Sequence, residues 1–275
     1  MIMALKKLLP LAVAAGALFA SASASAVAVV TLNPQANNGG LGVVDATEAA
    51  FDATGFLGSL GSTLQISGNS GVQAFIETGR VAVSDFQLND ANLNSNVADT
   101  YRLFADFTLT GFGAWTGSTY NAAAAGATLS LTFGADTNLD NVVDIVLGTG
   151  SLNASQPALA FALLAGSTAV GSSGNAFTTF AATIDFTPAA GTEGAGGFFQ
   201  APSPFSIDIV TGNVGGNFND TSYIVNADGS VSITTVGGSG NFDFVNNVPE
   251  PSALALVGLA LAGAGLASRR RKVVA

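Results

Sequence analysis

Carboxylates are the main side chains of this sequence that could carry acid–base chemistry. The chain has no His and no Cys, and its lysines lie only at Lys6, Lys7 and Lys272. A Ser-His-Asp triad or a Cys–His pair therefore cannot form, and a Ser–Lys dyad cannot form in the long segment between these lysines. Zinc, which nearly always takes His or Cys ligands, is excluded on the same ground. A pair of carboxylates, of the kind that glycosidases use, is the catalytic arrangement that remains.

No local motif marks such a pair of carboxylates. Seventeen of the eighteen acidic residues lie between Val27 and Asn247, and nearly all of them fall in predicted turns or on the polar faces of predicted strands. Catalysis by a carboxylate at neutral pH needs burial to raise its pKa, which a solvated position does not supply. We therefore expect surface carboxylates and no enzymatic activity, with a carboxylate-based glycan hydrolase as the least favoured alternative.

One acidic segment has a spacing suited to a cation. Oxygen-bearing side chains stand at its relative positions 1, 3, 5 and 9, which are Asp136, Asn138, Asp140 and Asp144. Calcium takes about six to eight oxygen ligands, and alternate residues of a tight loop can converge on it. Calcium is therefore the one candidate cofactor, and a polar hairpin tip between two strands is the alternative.

This spacing resembles the Asp-x-Asn-x-Asp loops of extracellular calcium-binding proteins, such as dockerin loops and thrombospondin type 3 repeats. The sequence departs from that pattern at two positions. Asn141 stands where a turn glycine is expected, although Asn tolerates the left-handed conformation. Leu147 stands at relative position 12, where an EF-hand has a bidentate Glu.

Aromatic residues offer a second candidate site. The glycine-rich stretch from Gly111 to Tyr120 holds the only Trp of the chain, Trp115. If they are exposed, Trp115 and Tyr120 would stack on sugar rings, as aromatic residues of β-sandwich carbohydrate modules do. The alternative is packing in the core, where large aromatic side chains usually lie.

Strands are the elements that would position these residues. Apolar and polar residues alternate with the period of half-buried strands in four segments: Leu103–Leu109 (apart from Phe104), Ala127–Phe133, Phe180–Phe186 and Phe205–Ile209. Asp228-Gly229 predicts the turn of a hairpin between Tyr223–Val225 and Val231–Thr234.

The remaining elements complete the predicted architecture. Val72–Ile76 and Val81–Leu88 are expected to pair across the segment from Glu77 to Arg80, and the only candidate helices are Asp45–Phe51 and Ala158–Leu164. About ten short strands with one apolar face each must bury those faces against another sheet. We therefore predict an all-β fold, an antiparallel β-sandwich of jelly-roll-like form.

The last 28 residues have a different composition. Pro249-Glu250-Pro251 is followed by the uncharged run Ser252–Ala267, and then by the cations Arg269, Arg270, Arg271 and Lys272. The run predicts a transmembrane helix of about 24 Å, which is short against a bilayer core of about 30 Å. The positive-inside rule places the cations in the cytoplasm.

This order of segments resembles the PEP-CTERM sorting signal of exported proteins in Gram-negative bacteria that make exopolysaccharide. The resemblance implies that an exosortase, a membrane protease-transpeptidase, recognises Pro249, Glu250 and Pro251 and removes the helix. The protein would be anchored transiently in the inner membrane and would then pass to the cell surface or the extracellular matrix. A lasting membrane anchor is the alternative, which the shortness of the helix disfavours.

The N-terminus has the pattern of a secretory signal peptide. Lys6 and Lys7 precede the apolar segment Leu8–Ala20, and Ala24-Ser25-Ala26 is a small-x-small cleavage site, so the mature chain would begin at Val27. Export would use the Sec machinery and signal peptidase. We expect three segments: a signal peptide at 1–26, one β-sandwich domain at 27–247 and the sorting signal at 248–275.

The segment between the two signals is strongly acidic. Its only cations are Arg80 and Arg102, against seventeen acids, which gives a formal charge of −15. Such a surface repels nucleic acid and anionic lipid headgroups, so neither is an expected partner.

Three functions fit these features. The favoured one is a non-enzymatic surface or matrix protein that associates with exopolysaccharide and supports flocs or biofilm. The order of its segments resembles that of flocculation-associated PEP-CTERM proteins. A carbohydrate-binding module is the second possibility and the glycan hydrolase is the third.

Overall fold

A computed structural model of the chain describes residues 26–117, 119–122, 126–152, 161–164, 173–174, 177–179, 182–201, 206–210 and 221–246. Apart from a single 3-10 turn at Asn38–Gly40, the regular structure of these residues is antiparallel β-sheet. This confirms the predicted all-β class. Residues Val27–Val245 form one compact unit, which is described here.

The strands of the described residues differ widely in length, from 2 residues in β1 to 17 in β5. In chain order they are β1 Ala26–Val27, β2 Val30–Leu32, β3 Phe51–Ala53, β4 Gly55–Ile66, β5 Val72–Leu88, β6 Ala91–Asn92, β7 Arg102–Thr116, β8 Thr119–Ala122, β9 Thr128–Asp136, β10 Ile145–Leu152, β11 Phe161–Leu164, β12 Ser173–Gly174, β13 Phe177–Thr179, β14 Ala182–Pro188, β15 Phe199–Ala201, β16 Ser206–Val210, β17 Thr221–Val225 and β18 Val231–Asn246.

Eight of these strands pair in a closed cycle, in the order β4, β5, β7, β9, β10, β14, β16, β18 and back to β4. Neighbours in the cycle follow one another along the chain, which is a meander and not the Greek-key order of the predicted jelly roll. One cyclic sheet also replaces the predicted sandwich of two sheets. The alternation of residues in the sequence marks strands and their faces, but it does not state which strands pair.

The inward faces of the cycle pack against one another as a core of aromatic rings. Phe56 of β4 stacks on Phe242 of β18 at 4.7 Å between ring centroids, and it also meets Phe133 of β9 at 6.2 Å. Phe133 in turn contacts Phe186 of β14 at 6.0 Å. Each such buried side chain contributes roughly 1.5–3 kcal/mol of hydrophobic stabilisation, which supports a fold without disulfides.

A small sheet of β15, β2 and β3 packs against one end of this core. Phe199 of β15 meets Phe186 at 5.2 Å, and Phe51 of β3 meets Phe86 at 5.2 Å. Leu32 of β2 is fully buried beside them. The small sheet therefore covers the end of the cycle from which the β9–β10 loop projects.

Several predicted strands are confirmed, and one predicted hairpin is wrong. The hairpin around Asp228-Gly229 joins β17 and β18, with Gly229 at a φ of +83° as its turn requires. In contrast, β5 runs without a turn from Val72 to Leu88. Gly79 lies inside this strand, and no larger residue fits there because a Cβ would come within 2.6 Å of Ser62 on β4. Here glycine marks a close approach of two strands and not a turn.

Neither candidate helix forms in the described residues. The segment from Asp45 has no helical structure and leads into β3 at Phe51. The Asp45 carboxylate accepts hydrogen bonds from both the N–H and the hydroxyl of Thr47. Such local side-chain hydrogen bonds compete with those of a helix. Phe161–Leu164, the described part of the second candidate, is strand β11. None of the described residues belongs to a helix with the length and hydropathy that a bilayer span requires.

Candidate functional sites

The acidic loop follows β9 and is built around Asp136. This side chain is fully buried, although it is a carboxylate. Its Oδ1 accepts the N–H groups of Asn138 and Asp140 at 3.2 Å, and its Oδ2 accepts the N–H of Asn141 at 2.7 Å. Three backbone donors thus compensate for its loss of hydration.

The other predicted ligands of the loop also accept backbone hydrogen bonds. Asp140 accepts the N–H of Val142 at 2.8 Å, and Asn138 accepts the N–H of Asp140 at 3.0 Å. Asp144 accepts the N–H and the hydroxyl of Thr137 at 2.8 and 2.7 Å, and these two bonds lower its pKa. The loop is therefore held in shape by its own donors.

Both arginines of the acidic segment contact this loop. Arg102 donates to the carbonyl oxygen of Leu139 at 3.1 Å and to the side-chain oxygen of Asn141 at 2.7 Å. Arg80 donates to the carbonyl oxygen of Asn141 at 2.7 Å. The two cations therefore lie where a bound metal ion would add further positive charge.

Arg80 is itself fixed on the outer face of the sheet. Its guanidinium makes two hydrogen bonds to the Asp106 carboxylate, at 2.6 and 2.8 Å, and lies 4.2 Å from the centroid of the Phe104 ring. The hydrogen bonds to Asp106 raise the pKa of Arg80. A planar, bidentate and stacked arrangement of this kind suits Arg and not Lys.

These contacts favour the hairpin-tip interpretation of the acidic loop over the metal site. Asp136, Asn138, Asp140 and Asp144 do lie in one loop, but each accepts hydrogen bonds from neighbouring N–H groups. Among the residues that the structure describes, no three His, Cys, Asp or Glu side chains are grouped so that they could hold a metal ion. Calcium binding by this loop stays a prediction.

The aromatic pair Trp115 and Tyr120 lies against the core. Tyr120 is fully buried, its hydroxyl donates to the carbonyl oxygen of Gln73 at 2.8 Å, and burial raises its pKa to about 12. Trp115 is half-buried, packs against the Tyr120 ring at 5.3 Å, and donates its indole N–H to the carbonyl oxygen of Gly68. The structure favours the alternative of core packing for Tyr120, and Gly113 beside the ring leaves room for it inside.

Phe112, in the same stretch, is the exposed aromatic residue that the sequence reasoning missed. Its side chain is 57% exposed on the outer face of β7. It pairs directly with Ala74 of β5, and exposed Ile76 follows two residues along that strand. The alternation recognised in Leu103–Leu109, continued by three residues, would have placed Phe112 outside.

An open groove includes Ile76 in its lining and lies on the side of β5 away from Phe112 and β7. It encloses about 430 Å³ between the β4–β5 turn and the β17–β18 hairpin. Most of the side chains that line it are polar: Gln65, Ser67, Asn226, Asp228, Ser230 and Ser232. The apolar part of the lining includes Ala74 and Ile76.

Buried acids form a third feature that the sequence did not indicate. Burial would raise the pKa of Asp45, but hydrogen bonds from Thr100, Thr47 and Asn96 outweigh it and lower that pKa to about 2. Nearby, Glu48 accepts the hydroxyl of buried Tyr101 at 2.7 Å. The expectation that nearly all acids are solvated is therefore wrong for these two residues.

Glu77 is a buried acid of a different kind. Its carboxyl lies on the inward face of β5, between Leu64 of β4 and Leu109 of β7. Burial raises its pKa, and a hydrogen bond with Ser62 offsets only part of that rise. This acid stabilises the fold best in its neutral form.

Most of the sorting residues lie outside the described part of the chain: Ala24, Pro249, Glu250, Pro251, Arg269, Arg270 and Arg271. Ala26 and Val27 at the predicted cleavage site form β1, and their side chains are not described. For them the comparison with known families is informative.

Residues 247–272 match the family model described as the PEP-CTERM protein-sorting motif. This match confirms the resemblance seen in the sequence, and it marks an exported protein that carries the membrane-anchored sorting signal of exosortase substrates. No curated protein and no solved structure matches the chain significantly.

Proposed function

We propose that this chain is a non-enzymatic protein of the cell surface or extracellular matrix that associates with exopolysaccharide and supports flocs or biofilm. The PEP-CTERM motif at 247–272 carries the proposal, because that signal directs a protein to exosortase. The acidic, disulfide-free β domain is the part that would remain outside the cell after processing.

Sorting would proceed in three steps. The signal peptide directs the chain through the Sec machinery and is cut before Val27. The apolar run Ser252–Ala267, which lies outside the described residues, then holds the chain in the inner membrane as the predicted helix, with Arg269, Arg270 and Arg271 on the cytoplasmic side. Exosortase cuts near Pro249-Glu250-Pro251 and releases the domain to the surface.

The closed cycle of strands suits such a destination. Each of its eight strands has a hydrogen-bonded partner on both sides over at least part of its length, which leaves little unpaired edge for other chains. A dense matrix concentrates proteins, and protected edges limit aggregation there.

The absence of enzymatic activity is proposed from the state of the carboxylates. The acids of the loop accept backbone hydrogen bonds, Glu48 accepts the Tyr101 hydroxyl, and Glu77 lies inside the core. A glycosidase needs two carboxyl groups that face the same bound sugar. These particular acids hold the fold together, and this supports a structural role.

A carbohydrate-binding module is the second candidate function, and the groove that Ile76 lines favours it. Its polar lining and the exposed ring of Phe112 on the neighbouring strand have the composition of a site for a polyhydroxy ligand. A hydrolase remains the third candidate and has no comparable support.

Cell fractionation tests the sorting step of this proposal. The chain would be expressed in a Gram-negative host that has an exosortase, beside a Pro249→Ala/Pro251→Ala variant and a Pro157→Ala/Pro202→Ala control with two other prolines replaced. We expect the wild-type chain and the control in the surface fraction and the first variant in the inner membrane. The same distribution for all three chains would contradict exosortase-dependent sorting.

A second arm tests the matrix role. Deletion of the chain from its host should reduce floc or biofilm mass, and the wild-type gene should restore it. Unchanged floc and biofilm mass in the deletion strain would contradict that role while leaving the sorting result intact.

A further inference from the structure

We propose that the groove between the β4–β5 turn and the β17–β18 hairpin, which Ile76 lines, binds a segment of an uncharged polysaccharide together with Phe112 on the neighbouring strand. This site, the Phe112 groove, deepens the proposed function and rests on its association with exopolysaccharide. It differs from the site expected at Trp115 and Tyr120, which packs against the core.

The size of the groove fits a short glycan segment. Its volume of about 430 Å³ falls within the range of about 300–1,000 Å³ that small-ligand sites occupy. The groove is open to solvent and is not an enclosed cavity, so a segment of a long chain could reach it from the surface.

The polar lining is fixed in position by its own hydrogen bonds. The Asn226 amide donates to the hydroxyl oxygens of Ser230 and Ser232 at 2.9 and 3.0 Å. Asp228 accepts the N–H and the hydroxyl of Ser230 at 2.9 and 2.6 Å. Side chains held in this way lose little conformational entropy when a ligand binds, which favours affinity.

The apolar side of the site suits the C–H face of a sugar ring. Phe112 is 57% exposed and Ile76 is 42% exposed. They are diagonal neighbours on adjacent strands, because Phe112 pairs with Ala74 and Ile76 pairs with Thr110. A large ring and a branched side chain at this separation present one continuous contact surface.

Charge selects among ligands that combine hydroxyl groups with apolar faces. Asp228 lies in the groove, and the exported segment carries a formal charge of −15. Uronate-rich or sulfated polysaccharides and nucleic acids would be repelled. A purely apolar ligand would leave Asn226, Asp228 and Ser232 without the water that they otherwise contact. An uncharged glycan is not repelled by the acidic surface, and its hydroxyl groups can hydrogen-bond to the polar side chains of the groove.

Affinity electrophoresis of the full-length chain in mild detergent tests the site. The probes are uncharged dextran, laminarin and galactomannan, with alginate and heparin as anionic comparisons. We expect at least one uncharged polysaccharide to retard the chain and neither anionic one to do so. Retardation by the anionic polymers alone, or by none of the five, would overturn the proposal.

Variants locate the binding. Phe112→Ala and Asn226→Ala should each weaken binding at least tenfold, while Val236→Ala and Ser239→Ala, at exposed positions elsewhere on β18, should bind as the wild type. Thermal melting identifies any variant that does not fold, and Ser232→Ala replaces Asn226→Ala in that case. Full binding by Phe112→Ala and by the polar variant would overturn the assignment.

Two further measurements separate the possible failures. Light scattering shows whether Phe112 instead joins two copies of the chain; a dimer that Phe112→Ala dissociates, without glycan binding, would overturn the proposal. The groove variants should be sorted to the surface like the wild type. If the wild-type chain is sorted normally but binds no glycan, only the groove proposal is rejected. If the wild-type chain is not sorted, the proposed function is rejected.

Discussion

Arg102 donates a hydrogen bond of 2.7 Å to the side-chain oxygen of Asn141, 39 residues further along the chain. Arg80 donates to the backbone oxygen of the same residue. The two cations of an otherwise acidic domain therefore meet at one residue of the β9–β10 loop. Asn141 has a φ of +69°, so it combines a left-handed backbone with two charged donors.

Replacement of Asn141 should separate these two contributions. Asn141→Ala loses the hydrogen bond to Arg102 and also places a Cβ in the left-handed region, so we expect about 2 kcal/mol of destabilisation in urea unfolding. Asn141→Gly loses the hydrogen bond but adopts this backbone freely, and should lose about 1 kcal/mol. Equal stability of wild type and Asn141→Ala would show that the loop does not depend on this residue.

Glu77→Gln should stabilise the protein at neutral pH. Because burial raises the folded-state pKa of Glu77 above the ordinary value of 4.5, its stabilising effect is complete below that pH. This contribution is lost as the pH rises through the folded-state pKa, since the unfolded chain ionises more easily. Gln has a similar shape and does not ionise, so the melting temperature of the variant should exceed that of the wild type at pH 7.5 and match it near pH 4.

Asp99→Asn, at an exposed position, is the control for this comparison. It should leave melting unchanged at both pH values. If Glu77→Gln melts below the wild type at pH 7.5, the ionised carboxylate is stabilising. Contacts other than the hydrogen bond with Ser62 must then compensate for its loss of hydration.

The acidic loop should keep its structure without calcium. Its carboxylates already accept backbone hydrogen bonds, and Arg102 and Arg80 supply positive charge, so a chelator should not change the melting temperature. If the loop does bind calcium, a concentration one hundred times the dissociation constant would add about 2.7 kcal/mol, a shift of several degrees. Such a shift, lost in Asp140→Ala and kept in Asp99→Ala, would establish the predicted metal site instead.

The local elements of this fold could be predicted, but their partners could not. Leu129, Leu131 and Phe133 alternate with hydroxyl residues, and this pattern identified β9. Asp228-Gly229 identified the β17–β18 turn because Gly adopts a positive φ without strain. The alternation of apolar and polar residues does not determine which strands pair, so the closed meander could not be predicted from it.

The sites show the same limit. Arg80 reaches Asn141 across 61 residues, and Tyr101 reaches Glu48 across 53. No spacing rule covers such separations, so neither the contact of Arg80 with Asn141 nor the burial of Glu48 could be predicted. The exposure of Phe112 was within reach of the alternation rule, whereas Tyr120 is buried because Gly113 on β7 makes room for its ring.

The mass of the mature chain tests the central claim most directly. Protein would be isolated from the surface or extracellular fraction of a host with an active exosortase, and its intact mass and terminal peptides would be determined. Sorting by the PEP-CTERM motif predicts a chain that begins near Val27 and has lost the segment after Pro249-Glu250-Pro251. A mature chain that still ends in Arg269-Arg270-Arg271-Lys272-Val273-Val274-Ala275 would contradict it.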